Sequence, residues 1–132
     1  MWHKVEIIGK LSKPPQMRYT PTGQAVTNLD IPANHTYTLN GQKVKETVWF
    51  RVTVWGTLAE NCNTYLDKGS QVLVIGRLKP DESGNPRTFT RKDGTAGASY
   101  EITASEVKFL STRENGGEQH DTPFENNDEP PF

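Results

Sequence analysis

Between Thr47 and Gly56 the chain reads TVWFRVTVWG, and a period of two divides this stretch into two unlike faces. Val48, Phe50, Val52 and Val54 form a purely apolar face suited to a packed core. Thr47, Trp49, Arg51, Thr53 and Trp55 form the other, on which two indoles flank a guanidinium and no aliphatic residue appears. Flat π surfaces beside a fixed positive charge suit stacked bases and a phosphate backbone. The alternative is structural: a helix or another subunit covers Trp49 and Trp55, and Arg51 pairs with an acid.

The same alternation predicts the other elements. Lys4 to Leu11 reads as a first strand, with Val5, Ile7 and Leu11 on one side and Gly9 marking a bulge or a close backbone approach. Pro14-Pro15 ends it, and Thr20-Pro21-Thr22-Gly23 is a turn. Gln24 to Ala33 is a second strand, with Pro32 suggesting a bulge or an edge near its end. Asn34 to Glu46 is a polar connection around a hairpin-type Asn40-Gly41 turn, with Tyr37 on one side and Lys43 and Lys45 on the other.

After the central strand, Leu58 to Leu66 predicts one short helix, with Leu58, Cys62, Tyr65 and Leu66 on a stripe. Thr57 and Glu60 make a capping box for it, and Gly69 stops it. Gln71 to Lys79 is a fourth strand, apolar on both faces, so that one face calls for a further cover such as another subunit. Lys79 to Ala98 is a long Gly- and Pro-rich hairpin arm that carries Phe89 among Arg87, Arg91 and Lys92. Ser99 to Leu110 is the last strand, its pattern slipping near Ser105. Five strands with a helix after the third is the order of an OB-fold, a mainly β Greek-key barrel that binds oligonucleotides on its second and third strands and connecting loops.

Charge sharpens this picture. Residues 1–110 hold fourteen Lys and Arg against ten Asp and Glu, whereas residues 111–132 hold Arg113 alone against six acids, for a net charge of -1. A basic body (1–110) with an acidic tail (111–132) is the asymmetry of a nucleic-acid binder carrying an interaction tail. The tail lacks periodicity and is expected to be disordered, in keeping with a mean hydropathy of -0.73 for the chain. No apolar run approaches the ~20 residues that span a bilayer. Cys62 is the single cysteine, which excludes an internal disulfide and agrees with a cytoplasmic setting.

Catalysis is not expected. His3, His35 and His120 lie far apart, there is no Walker loop, and one cysteine cannot build a thiolate zinc site. No cofactor or metal is expected either. The binding classes that stay open are an OB-fold for single-stranded DNA, one for RNA, and an interaction module of the same fold without nucleic acid.

The phrases VEIIGKL, RYTPTGQAVTNLDI, TVWFRVTVWGTLAENCNTYLDKGSQVLVIGRLK, SYEITASEVKFL and the terminal DEPPF closely resemble the bacterial single-stranded DNA-binding protein family over residues 4–110 and the tip. The resemblance implies that Trp49, Trp55, Tyr37 and Phe89 stack on bases, and that Phe50 lies at a subunit contact. It also implies a homotetramer that protects single strands in replication, recombination and repair near the nucleoid. The tip, Asp128, Glu129, Pro130, Pro131 and Phe132, would then recruit replication and repair proteins. Arg51, Lys10, Lys43, Lys45, Arg77 and Lys79 are the expected phosphate contacts. Three departures stand out: an insertion around PDESGNP in the arm, a tail (111–132) shorter than the family's usual linker, and a tip with Pro131 where the family has Ile or Leu and with fewer acids.

Overall fold

A computed structural model describes residues 1–111. The elements run β1 (Val5–Lys10), β2 (Gln16–Tyr19), β3 (Ala25–Leu39), β4 (Gln42–Trp55), α1 (Gly56–Tyr65), β5 (Gln71–Leu78), β6 (Arg87–Thr90) and β7 (Ala96–Phe109). The hydrogen-bonded order is β1-β5-β7-β4-β3-β2, with β6 paired to β7. All neighbours are antiparallel except β4 and β7, which run parallel. The five strands β1, β3, β4, β5 and β7 with a helix after β4 are the expected OB-fold; β2 and β6 are hairpin additions that the alternation does not predict.

The core sits between the inner pleats. Ile7 and Leu11, Leu29 and Ile31, Val52 and Val54, Val72 and Val74, and Ile102 all bury there with Ala59, Cys62 and Leu66 of the helical segment. The sheet curls so that β1 crosses β3 at Gly9, where a Cβ would lie 2.6 Å from Ile31 Cγ2 and 3.0 Å from the Pro32 carbonyl. Gly9 therefore serves a close backbone approach; the β1–β5 register passes through it without a bulge. A Ser12 N–H donates to the Asp30 carbonyl at 3.0 Å beside this crossing. The slip near Ser105 is a bulge: Ile75 faces Glu106 but Gly76 faces Ala104.

Two expectations are corrected. The polar segment 34–46 is no loose connection: β3 and β4 stay paired to Leu39↔Gln42 around Asn40 (φ 52) and Gly41 (φ 78), a two-residue turn with both residues left-handed. Pro32, by contrast, sits at an edge as expected: it stays in register opposite Trp49 without a bulge, and β2 covers the other side of β3 only as far as Asn28. The capping box does not form either; α1 starts at Gly56 with Trp55 at its N-cap and no side-chain cap bond, because Gly56 (φ 73) turns the chain directly out of β4.

Leu66 and Cys62 of the predicted stripe are buried, while Tyr65 is exposed against Phe109. The buried hydroxyl of Thr27 donates to the Ala59 carbonyl at 2.9 Å and ties α1 to β3. Burial pushes the Cys62 thiol up to about 12.

Candidate nucleic-acid interface

Directly paired residues of neighbouring strands point to the same side of a sheet. The outer face can therefore be built row by row. In one row Arg18 pairs with Val26 and Val26 with Trp55. In the next, Gln16, Asn28, Thr53, Thr103 and Arg77 lie side by side. Asp30, Arg51 and Glu101 form the third, and Pro32 with Trp49 the fourth. Asn34–Thr47, Thr36–Lys45 and Thr38–Lys43 continue the face along the β3–β4 ribbon.

The central face is open. Trp49 is 56% exposed and Trp55 39%, while Val52 and Val54 on the opposite pleat are fully buried. Among the described residues no layer covers the indoles. At a strand rise of about 3.3 Å per residue, the two rings stand roughly 20 Å apart along β4 with Arg51 between them.

Arg51 lies in register between Asp30 and Glu101, yet it forms no ion pair with either. Those acids turn elsewhere. Lys13 Nζ holds Asp30 Oδ2 at 3.1 Å, and Glu101 accepts from Ser99 Oγ at 2.8 Å and faces Arg87 Nε at 3.9 Å. Among the described residues the guanidinium is thus left without an ion-pair partner, flanked by carboxylates that already have partners.

The long arm brings Phe89 to this face. The PDESGNP insertion closes on itself, with Asp81 N–H donating to the Asn85 carbonyl at 2.8 Å and Gly84 N–H to the Asp81 carbonyl at 3.1 Å. β6 then pairs Phe89 with Gly97, over which the ring lies, and Arg91 stands 5.5 Å above the ring. Phe89, Trp49, Arg51, Arg87, Ser99 and Glu101 line one groove. At the arm's tip, bonds from the Thr95 N–H (3.0 Å) and Thr95 Oγ1 (2.7 Å) hold the Asp93 carboxyl below the usual carboxylate range.

The remaining predicted residues divide. Arg77 and Lys79 continue the face beyond β7, Lys79 donating its N–H to the Glu101 carbonyl at 2.8 Å. Lys10 is exposed at the end of β1, one residue past the Gly9 crossing. Lys43 and Lys45 share the pleat of Trp49. Tyr37 does not: it pairs with Val44, on the opposite pleat, and stacks with His35 at 6.0 Å. The turn at Asn40-Gly41 sets that register, so Tyr37 lies on the other side of the ribbon. Asp128, Glu129, Pro130, Pro131 and Phe132 lie outside the described residues.

Arg18 belongs to the same face although the strand pattern alone does not single it out. Its Nη1 donates to Asn28 Oδ1 at 2.8 Å, and Asn28 Nδ2 donates to Thr53 Oγ1 at 3.2 Å. The available signal was the alternation of Gln16 and Arg18 after Pro15, in a strand of only four residues.

The family model described as "Single-strand binding protein family" matches residues 2–110. Among curated relatives, the single-stranded DNA-binding protein of Neisseria meningitidis serogroup A is 38% identical over 117 residues, 87% of this chain and 64% of that protein. That of Oceanobacillus iheyensis is 35% identical over 119 residues, 90% of this chain and 70% of that protein. The chain thus spans somewhat under two thirds of the length of the first of these relatives. Among solved structures, the Plasmodium falciparum SSB complex with ssDNA superposes with a TM-score of 0.68 at 22% identity, over 84% of this chain and 97% of that one. The small single-stranded DNA-binding protein from Streptomyces coelicolor gives 0.67 at 24%, over 81% and 93%. These two share the fold.

Proposed function

Since the chain belongs to the single-strand binding protein family, we propose that it binds single-stranded DNA without sequence preference and protects it during replication, recombination and repair. The observation that carries this is the open Trp49-Arg51-Trp55 row on a strand whose other pleat buries Val52 and Val54 completely. Bases stack on Trp49, Trp55 and Phe89, each worth ~1–3 kcal/mol. Phosphates meet Arg51, Arg18, Arg77, Lys79, Lys43, Lys45 and Lys10, and the affinity falls steeply with salt. Tyr37 reaches the strand only where the ribbon twists its other pleat toward it. Every base has a π-face and phosphates are uniform, so sequence counts for little. A duplex hides its base faces, so single strands win. The names of the curated relatives and the solved ssDNA complex support this reading.

The protein works as a homotetramer in this proposal. Two apolar surfaces of the single chain support it. Ile8, Leu73 and Ile75 form a half-buried strip outside β1 and β5, and β1 pairs with β5 alone among the described strands. Phe50 and Tyr100, 6.0 Å apart, form an apolar edge with exposed Leu78. The acidic tip, Asp128 to Phe132, recruits replication and repair enzymes, with Phe132 entering an apolar pocket and the acids meeting cations. The protein acts in the cytoplasm, at the nucleoid; no helix of the described residues is long and apolar enough to cross a membrane.

Titrating intrinsic Trp fluorescence with poly(dT), at low and high salt, tests the central claim. Strong quenching that saturates at a fixed nucleotide count and is absent with duplex DNA is expected. A folded protein whose emission poly(dT) leaves unchanged refutes it.

A further inference from the structure

The chain has three tryptophans, and the third, Trp2, is 78% exposed. An indole this open buries almost nothing of its own fold, so its packing does not explain it. Lys4 Nζ stands 6.0 Å from its ring centroid, which sets a cation beside an open π-face. The segment is not a loose end: the Leu78 N–H donates to His3 Nε2 at 3.0 Å, which pins it against the last residue of β5. Its neighbours there are Arg77 and Lys79. Arg77 lies in one row with Thr103 and Thr53, and Lys79 bonds to Glu101, whose row holds Arg51. The outer face therefore runs without interruption from the Trp49–Trp55 strand across β7 to this corner.

We infer that Trp2 and Lys4, held by His3 on the end of β5, form a further stacking site for the strand of DNA leaving the β4 face past Arg77 and Lys79. The inference rests on the single-strand binding proposed above. It commits the corner to a nucleotide rather than to a second copy of the chain, because the groups leading to it are cations and the indole already carries one.

The W49F/W55F variant leaves Trp2 as the sole indole while keeping an aromatic ring at both β4 positions. Titrated with dT oligomers, with complex formation followed separately by gel mobility, its emission should be quenched in step with binding. Trp2→Ala in the otherwise unaltered chain should weaken binding about fivefold, the low end for one stacked base, shorten the saturating length, and leave quenching of Trp49 and Trp55 in place. Unchanged Trp2 emission while the oligomer is bound overturns the inference and leaves the β4 face standing. So does Trp2 emission that shifts with protein concentration but not with DNA, which assigns the corner to a subunit contact. Should W49F/W55F bind nothing, Trp2→Ala decides alone, and an unaltered site length and affinity overturn the inference. An unaltered chain that binds no single strand fails at the earlier step and takes this inference with it.

Discussion

Arg51→Met tests the electrostatics of the face with little disturbance of the fold. The methionine keeps an unbranched, apolar stem on an exposed position, and Arg51 gives up no ion pair, so stability should stay within about 0.5 kcal/mol. Binding should change in a specific way. Each phosphate neutralised on a single strand contributes about −0.7 to the slope of log K against log salt. If Lys10, Arg18, Lys43, Lys45, Arg51, Arg77 and Lys79 each neutralise one, the slope per domain is near −5, and Arg51→Met flattens it by about 0.7. Between 50 and 200 mM salt the unaltered chain then loses about 2.6-fold more affinity than the variant. The deficit is largest at low salt, where Asp30 and Glu101 also face the phosphates without the cation between them. Equilibrium titrations with dT oligomers at four salt concentrations measure it, with thermal melts as control. An unchanged slope refutes the assignment of Arg51 to phosphate. A fall in melting temperature of more than a few degrees refutes the claim that Arg51 is free in the fold. Glu101→Gln is the mirror image: it removes the anion opposite Arg87 Nε, and affinity should rise with a steeper slope.

Other predictions concern the frame that holds the face. Gly76→Ala drives a methyl into the Thr103 carbonyl and to 2.9 Å from Ala104 Cα at the bulge, so a loss of about 3 kcal/mol or more is expected in denaturant melts. Thr27→Val keeps the shape but strips the Ala59 carbonyl of its buried donor; a loss of about 1–3 kcal/mol is expected, and a neutral result shows that this bond does not secure α1. Gly97→Ala puts a methyl 2.6 Å from Phe89 Cζ, on the mobile end of a side chain, so the melt should hardly change while affinity for dT oligomers drops as the ring lifts from the groove.

The central strand is legible because its two faces have opposite tasks and period two separates them without ambiguity. The order of strands and the single helix follow from equally plain signals, as does the irregularity at Ser105. Polar strands are harder. The outer halves of β3 and β4 bury nothing, so their residues carry no apolar alternation, and only pairing across the turn holds them extended. The side of Tyr37 is nevertheless encoded locally: a two-residue turn sets Leu39 opposite Gln42, and counting back sets Tyr37 opposite Val44. β2 and β6, at four residues each, are too short for periodicity to mark. Arg18 was hidden with β2. The helix start was obscured for a different reason: Thr57 and Glu60 satisfy the capping pattern, but Gly56 has already begun the turn.

The buried thiol of Cys62 gives this molecule a clock of its own. It is the thiolate that attacks alkylating and disulfide reagents, and burial that raises the thiol to about 12 keeps it protonated near neutral pH. Direct attack is further blocked because the side chain has no contact with solvent. Modification of the native protein therefore proceeds through moments when α1 lifts from β3, and its rate counts those moments. Because the chain has no other cysteine, the count comes from a single place, at the rear of the strands whose front is offered to DNA. Any grip on the front that stiffens β3 should slow the clock at the back.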